Sequence, residues 1–376
     1  MQKKIFTLLM FALFAVFATA QEHKYHPQTE AELKALVEDL SINLGAIDTS
    51  KITDMSELFY ETERQDFSGI ETWDVSKVEN MRWMFRDAKS FNQNINSWNV
   101  SKVENMSDMF LGATSFNQPL DKWNVSHVEY MSAMFSGAKS FNQNINSWDV
   151  SNVLDMSAMF SEAKSFNQPL DKWDVSNVGI MESMFSGATS FNQPLDKWNV
   201  SNVRNMECMF SITKSFNQNI NSWDVSNVRN MRYMFAKAIS FNQPLDKWNV
   251  SNVEDMSDMF LFAKSFNQNI NSWNVSKVKN MYGMFSGATS FNQPLDKWNV
   301  SNVESMSYMF SGAESFNQNI NSWNVSKVEF MNNMFLLAKS FNQNINSWDV
   351  SKVGRNMSYM FESSPLEKNP PQWFKK

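Results

Sequence analysis

Two methionines and two phenylalanines recur at fixed spacing through most of this 376-residue chain, and their chemistry is the first to weigh. Thioether sulfurs suit a soft metal such as Cu(I), and 27 methionines would supply many of them. The pairs fall on the apolar spacing M-x-x-M-F, however, where flexible thioethers fill gaps between aromatic rings, so the spacing assigns them to a core. A second set is polar. Lys122, Lys172, Lys197, Lys247 and Lys297 each stand two residues before Asn124, Asp174, Asn199, Asn249 and Asn299. Such a column of ammonium and amide groups could recognise a repeated polar ligand, a glycan or an extended protein. It could equally be a solvated face with neutralising charges. A third set is aromatic. Trp83, Tyr233, Tyr308 and Tyr359 share one position of the repeat described below, where they could anchor a partner or pack on neighbouring coils.

Signals for catalysis are weak. His23, His26 and His127 fall in no metal-ligand motif, and there is no phosphate-cradling glycine loop, zinc motif or nucleophile elbow. The carboxylates recur as decoration instead of forming one singular pair. The sequence implies a chain that is not an enzyme and takes no cofactor or metal. Asn-Val-Ser at Asn99, Asn124 and Asn199 matches a glycosylation acceptor, but the match sits on a repeated core segment.

The elements that place these residues are set by one period. Tryptophans at 73, 98, 123 and on to 348 stand 25 residues apart, and Trp373 lands on the same series. A fixed period of this length is the mark of a solenoid. Counting each copy from its tryptophan as position 1, apolar residues occupy positions 23, 1 and 3, then 6, 9, 12, 13, 16 and 19. The first group (Leu120, Trp123, Val125) has the alternation of a strand with one face buried. The second (Val103, Met106, Met109, Phe110, Ala113) has helical spacing, and Ser101-Lys102-Val103-Glu104 reads as a capping box ahead of it. Glycine at position 15, as in Gly112 and Gly137, would end that helix. The expectation is an α/β repeat solenoid, a leucine-rich-repeat-like right-handed coil with one short strand and one short helix per copy. The Asn-Gln pair at positions 20 and 21, present in every regular copy, should stack as an amide ladder that satisfies turn backbone groups.

In chain order, residues 1–20 read as a secretory signal peptide: Lys3 and Lys4, a largely apolar run, then Ala18-Thr19-Ala20 before the cleavage point. That run is too short to cross a membrane, and no later stretch is apolar for long enough. Residues 21–43 hold a capping helix opened by Thr29 and Glu32, with Leu33, Leu36, Val37 and Leu40 as its stripe. Residues 44–347 carry twelve copies, the first divergent and eleven regular, and 348–376 a divergent last copy and C-terminal cap. Losing Lys3 and Lys4 takes the formal charge from −6 to about −8. This acidity argues against nucleic acid or an anionic membrane as partner. The lone cysteine, Cys208, leaves an exported chain without internal disulfides and sits at a variable position expected to face outward.

The alternation of NINS and PLDK before successive tryptophans suggests duplication of a two-copy unit. It breaks at a PLDK pair ending at Lys172 and Lys197 and at a NINS pair ending at Ser322 and Ser347. The phrase W-[DN]-V-S-x-V-x-x-M-x-x-M-F-x-x-A-x-S-F-N-Q, repeated over about 44–361, resembles the BspA-like leucine-rich-repeat surface proteins, and more closely their 25-residue branch known from mycoplasma surface lipoproteins. The resemblance implies an exported solenoid engaged in adhesion or host contact. The chain lacks the cysteine of such lipoproteins after its signal. The expected function is a secreted or surface-associated binding protein making multivalent contact with a protein or glycan ligand. The rival is a structural spacer or self-assembling surface-layer element.

Overall fold

The structure is a computed structural model that describes residues 23–374. The expected signal peptide lies outside them. Successive copies stack as a solenoid around one continuous core that runs from Leu33 to Leu366. The core positions are those the periodicity picks out. In the Trp98 coil, Trp98, Val100, Val103, Met106, Met109, Phe110, Ala113, Phe116 and Leu120 are all at most 3 % exposed.

What these residues build differs from the expectation. The described residues contain one α-helix, α1 (Glu30–Glu38), ahead of the array; the helix expected over Ser101–Ala113 and its equivalents is absent. From position 9 to 16 each coil is a run of turns whose N–H groups have two destinations in alternation. Those of Met109, Leu111 and Ala113 bond three residues back in the same coil, to Met106, Asp108 and Phe110. Those of Met106, Asp108, Phe110 and Gly112 donate to the carbonyls of Tyr130, Ser132, Met134 and Ser136 in the next coil. Strand pairing is reduced to one parallel bridge per coil at position 8, such as Asn105 with Tyr130.

Hydrogen bonding explains the correction. A helix would satisfy its N–H groups inside its own coil and leave coil–coil contact to side chains. The turn run satisfies the same groups and binds neighbours together with half of them. Its cost is conformational, because the turns opened at positions 9 and 13 take positive φ at their third residue. Positions 11 and 15 take that conformation in every regular copy, as in Asp108 (φ 57) and Gly112 (φ 69). Gly112 therefore serves a turn, not a helix end, and a Cβ there would come within 2.2 Å of Asp87 Oδ1. The capping box fails for the same reason: the Ser101 N–H donates to Asn99 Oδ1 at 3.3 Å in a local turn.

The strand expected at positions 23, 1 and 3 is extended chain between turns, without a ladder. Here the side chains bridge the coils. The buried Trp123 indole donates from Nε1 to the Ile95 carbonyl at 3.0 Å, and the same bond recurs through Trp198 to Leu170 (2.9 Å) and Trp373 to Ile345 (2.9 Å). Tryptophan fits because it fills the volume and satisfies a buried carbonyl that leucine would leave unpaired. The rings stack in columns. Trp123 and Trp148 have centroids 6.3 Å apart, and Phe110 and Phe135 5.6 Å apart. The spacing thus widens from the backbone ladder, about 4.8 Å in a sheet-like pairing, outward to the tryptophans.

The amide ladder forms as expected. Asn217 Oδ1 accepts from the Asn242 N–H at 2.9 Å and from Gln243 Nε2 at 3.1 Å, one coil onward. The NINS/PLDK alternation has a physical reading as well. Asn221 donates from Nδ2 to Asp246 Oδ1 (2.8 Å) and accepts from the Lys247 N–H (3.0 Å). Ser272 of the following NINS then donates back to the Asp246 carbonyl at 3.0 Å. At the PLDK pair that asparagine is missing, and Lys197 Nζ instead meets Asp171 Oδ2 at 3.4 Å.

Both ends are dressed. Thr29 Oγ1 accepts from the Glu32 N–H at the start of α1, while Glu32 reaches back to the Gln28 N–H, one residue short of a full capping box. Leu33 and Val37 enter the core; Leu40, expected on the stripe, is 58 % exposed beyond the end of α1. Arg64, from the stretch holding the extra residue of the first copy, points its guanidinium at the Val37, Asp39 and Ile42 carbonyls and so closes the C-terminal end of α1. At the far end Trp373 stacks on Trp348 at 6.3 Å, so the tail completes the tryptophan column.

Two substitutions separate this coil from the expected helix. Ala158 sits at position 11 with φ 53. Relief of left-handed strain, about 1–2 kcal/mol, exceeds the extra unfolded-state freedom of glycine, about 0.5–1 kcal/mol. Ala158→Gly should therefore raise stability to chemical denaturation by up to about 1 kcal/mol, whereas in a helix it would lower it by about 1 kcal/mol. Asn217→Ala removes two accepted bonds and should lower stability by about 1–2 kcal/mol. An unchanged denaturation midpoint for that variant would remove the ladder from the account.

Candidate binding surfaces

The lysine column is where the sequence placed it in one respect: Lys122, Lys172, Lys197, Lys247 and Lys297 are all exposed, as are Asn124, Asp174, Asn199, Asn249 and Asn299. They are not on the face of a sheet, since that part of each coil is turns and extended chain. Several groups beside the lysines already have structural partners. Asp174 Oδ1 accepts from the Ser176 N–H at 3.0 Å and Asn249 Oδ1 from the Ser251 N–H at 3.2 Å. The Ser176 hydrogen bonds hold the Asp174 carboxyl below the usual carboxylate range.

The aromatic residues at position 11 lie on the ladder side and have separate fates. Trp83 is clasped between guanidinium groups, with Arg82 at 4.6 Å and Arg86 at 4.4 Å from its ring, and its Nε1 donates to Asp108 Oδ2 at 3.0 Å. Tyr233 repeats the arrangement six copies later. Arg232 lies 4.9 Å from its ring, and Asp258, the position-11 residue of the next coil, is its acidic neighbour. Tyr308 instead packs against Tyr282, with ring centroids 5.4 Å apart.

Tyr282 and Phe330 are the residues that sequence reading missed. They stand at positions 10 and 8, and on a helix those positions face opposite sides. On a turn ladder they line one groove from two coils apart, with the Trp298 coil between them. A groove of about 530 Å³ is lined by Arg232, Tyr233, Asp255, Ser257, Asp258, Lys279, Asn280, Tyr282, Glu304, Ser305 and Phe330. A second of about 520 Å³ shares Tyr282, Ser305 and Phe330 with it and extends to Tyr308 and Tyr359. Together they form one trough along the C-terminal half of the ladder, with an aromatic side chain from each of four successive coils. A usable signal was present in the sequence: large aromatics at positions that in most other copies carry Ser, Asn, Asp, Glu or Arg, Tyr130 and Ile180 at position 8 being exceptions.

The floor of the first groove is unusual for this protein. Asp258 is 5 % exposed, and burial pushes its carboxyl above the usual carboxylate range, opposed by the neighbouring Tyr233 hydroxyl. Glycine at position 11 of the next coil, Gly283, makes room for it: a Cβ there would meet Asp258 Oδ1 at 2.2 Å. The neighbouring Ser257 hydroxyl is buried without a hydrogen-bond partner. The groove's two bases are engaged with acids of preceding coils, Arg232 with Glu207 (3.9 Å) and Lys279 with Glu254 (3.8 Å). Asp255, Asp258 and Glu304 make no ion pair among the described residues.

Cys208 also differs from expectation. It is half-buried at a positive-φ turn position, and burial pushes its thiol up to about 11, where almost none is thiolate at neutral pH. Among the described residues no group of three or more His, Cys, Asp or Glu is arranged to hold a metal ion, and no helix is long and apolar enough to cross a membrane.

Comparisons with known proteins follow from this geometry. A search of curated proteins found no match to the sequence. Among solved structures, the chain is similar to TLR13 in its complex with ssRNA13 (10 % identity, TM-score 0.21, covering 87 % of this chain and 60 % of that one). It is also similar to a chain of the Toll–Spätzle complex of Drosophila (10 % identity, TM-score 0.22, covering 76 % and 54 %). A third is the plant peptide hormone receptor RGFR1 in complex with RGF2 (6 % identity, TM-score 0.19, covering 75 % and 64 %). The chain thus spans between 54 % and 64 % of the length of these structures. A family model matches at residues 31–146, 119–212, 193–290 and 269–373, nearly the whole array, and the chain belongs to that family, described as Mycoplasma protein of unknown function, DUF285.

Proposed function

We propose that this chain is an exported, surface-associated binding solenoid of the BspA-like leucine-rich-repeat kind, and that it adheres to a protein or glycan ligand through the aromatic trough on its ladder face. One observation carries the reading: aromatics line one trough from four successive coils, Tyr282 (41 % exposed), the half-buried Tyr308, Phe330 (44 %) and Tyr359 (67 %). Uniform repeats need no such residues for folding, and clustered aromatic rings are the usual anchors of an interface. The exposed lysine column from Lys122 to Lys297 is proposed as an accessory contact that adds avidity along the array. Secretion by the signal peptide at 1–20 is part of the same proposal.

The structural rival has one observation in its favour. In the last coil the Met357 and Tyr359 N–H groups, whose equivalents donate onward in nearly every inner coil, have no hydrogen bond to a following coil. That open donor edge could extend the stack onto another chain.

A glycan and matrix-protein array probed with the mature chain and with a Tyr282→Ser/Phe330→Ser variant tests the binding reading. We expect at least one ligand class whose signal falls about tenfold or more in the variant, as loss of one interface anchor of about 1.4 kcal/mol or more implies. Equal signals from both proteins would overturn the role of the trough. Light scattering on the same samples should show a monomer; concentration-dependent filaments would favour the structural rival.

A further inference from the structure

We propose that the groove between the Trp223 and Trp323 coils is a receptor for a cationic side chain, the ammonium or guanidinium group of a lysine or arginine on a partner protein. The inference rests on the binding reading above and names the chemistry of its ligand.

The trough supplies rings and acids outside ion pairs at one place. Tyr282 and Phe330 are exposed and line the groove, and a cation over such a ring is attracted by its quadrupole. Asp258 and Glu304 line it as well, and neither forms an ion pair among the described residues; Arg232, which acts on Asp258 at longer range, and Lys279 have Glu207 (3.9 Å) and Glu254 (3.8 Å) as their ion-pair partners. A neutral sugar would use the rings but would bring no counter-charge to these acids. An acidic ligand would be repelled.

The second observation is the Ser257 hydroxyl. Ser257 is 4 % exposed, lines the groove, and its Oγ has no partner. An unmatched buried hydroxyl is costly in a finished core and is explained when a ligand supplies the missing bond. Ser257 Oγ and Asp258 together give an ammonium group two acceptors, with aromatic faces around the remaining charge. The local construction fits this use: Gly283, the one glycine at position 11 of the regular copies, leaves the space that Asp258 occupies. Trp83 and Asp108 form a corresponding pair near the N-terminal end, where Arg82 and Arg86 lie over the ring as Arg232 lies over Tyr233, so the guanidinium–ring contact is one the ladder already uses.

Calorimetric titration of the mature chain with a blocked tetralysine peptide, and with the same peptide acetylated on every lysine, tests the assignment. Tetralysine should bind and the acetylated peptide should not. Glu304→Gln and Phe330→Ser, both at exposed positions, should each weaken tetralysine binding about tenfold. Ser257→Ala should weaken it while leaving the denaturation midpoint unchanged or higher, since it removes an unsatisfied hydroxyl. Glu129→Gln, an exposed acid at the repeat position of Glu304 but outside the groove, should change nothing. Equal binding of the acetylated peptide would overturn the proposal, as would an equal loss in Glu129→Gln, which would mean diffuse attraction to an acidic protein. Neutral oligosaccharides that bind and are lost in Phe330→Ser but retained in Glu304→Gln would assign the groove to a sugar. Failure of tetralysine with array binding still dependent on the trough would sink this inference alone.

Discussion

Everything in this solenoid follows from how the N–H groups of positions 9, 11, 13 and 15 are satisfied. Instead of satisfying these amides inside its own coil, as a helix would, each coil gives alternate amides to the next coil. The bond that completes each coil's backbone is therefore also the bond that holds its neighbour. Positive φ at positions 11 and 15 is the consequence, and it is imposed on Trp83, Cys208 and Ile212 as readily as on glycine. That so many ordinary residues accept left-handed backbone shows how much the ladder outweighs about 1–2 kcal/mol of local strain per residue.

The side chains repeat the same logic away from the backbone. The tryptophan indole bonds the preceding coil's carbonyl, the position-20 asparagine bonds the next coil's N–H, and NINS and PLDK segments interlock as donor and acceptor. Methionine lies at the base of the turns, fully buried between phenylalanine columns. Each of these groups has meaning only beside an adjacent copy, so the array is cooperative by construction and needs closure at its ends. Arg64 with α1 performs that closure at one end, and Trp373 at the other.

Much of this was legible in the sequence, and what was not has a physical reason. The core was legible residue by residue, because burial depends only on which positions face inward. Trp123, Met106 and Phe116 would be buried by a helix or by turns alike. The kind of element was not legible. Apolar spacing of three and four is shared by a helix and by a chain of overlapping three-residue turns, and Ser101 with Glu104 imitated a cap. Asn117-Gln118 was readable because a stacked amide has one evident use. The lysine column was placed at the surface correctly, yet its sheet did not exist. Tyr282 and Phe330 were invisible as a pair for the same reason that the helix was wrong: their convergence requires the ladder register. The groove could therefore be found only after the coil was understood.

The trough is a departure from repetition that collects aromatics from four successive coils, and a repeated scaffold is well suited to it. Substitutions at positions 8, 10 and 11 alter the ladder face while the backbone bonds of the ladder stay in place, so a binding site can be written onto coils that fold alike. The account depends on the ladder passing from coil to coil, and residue-resolved hydrogen exchange tests this most directly. The Met331 and Asn333 amides, which donate to Asn356 and Ser358, should exchange slowly, while Met357 and Tyr359, one coil later with no coil beyond them, should exchange fast. Equal protection of both pairs would mean that each coil bonds within itself, as a helix does, and would contradict the account.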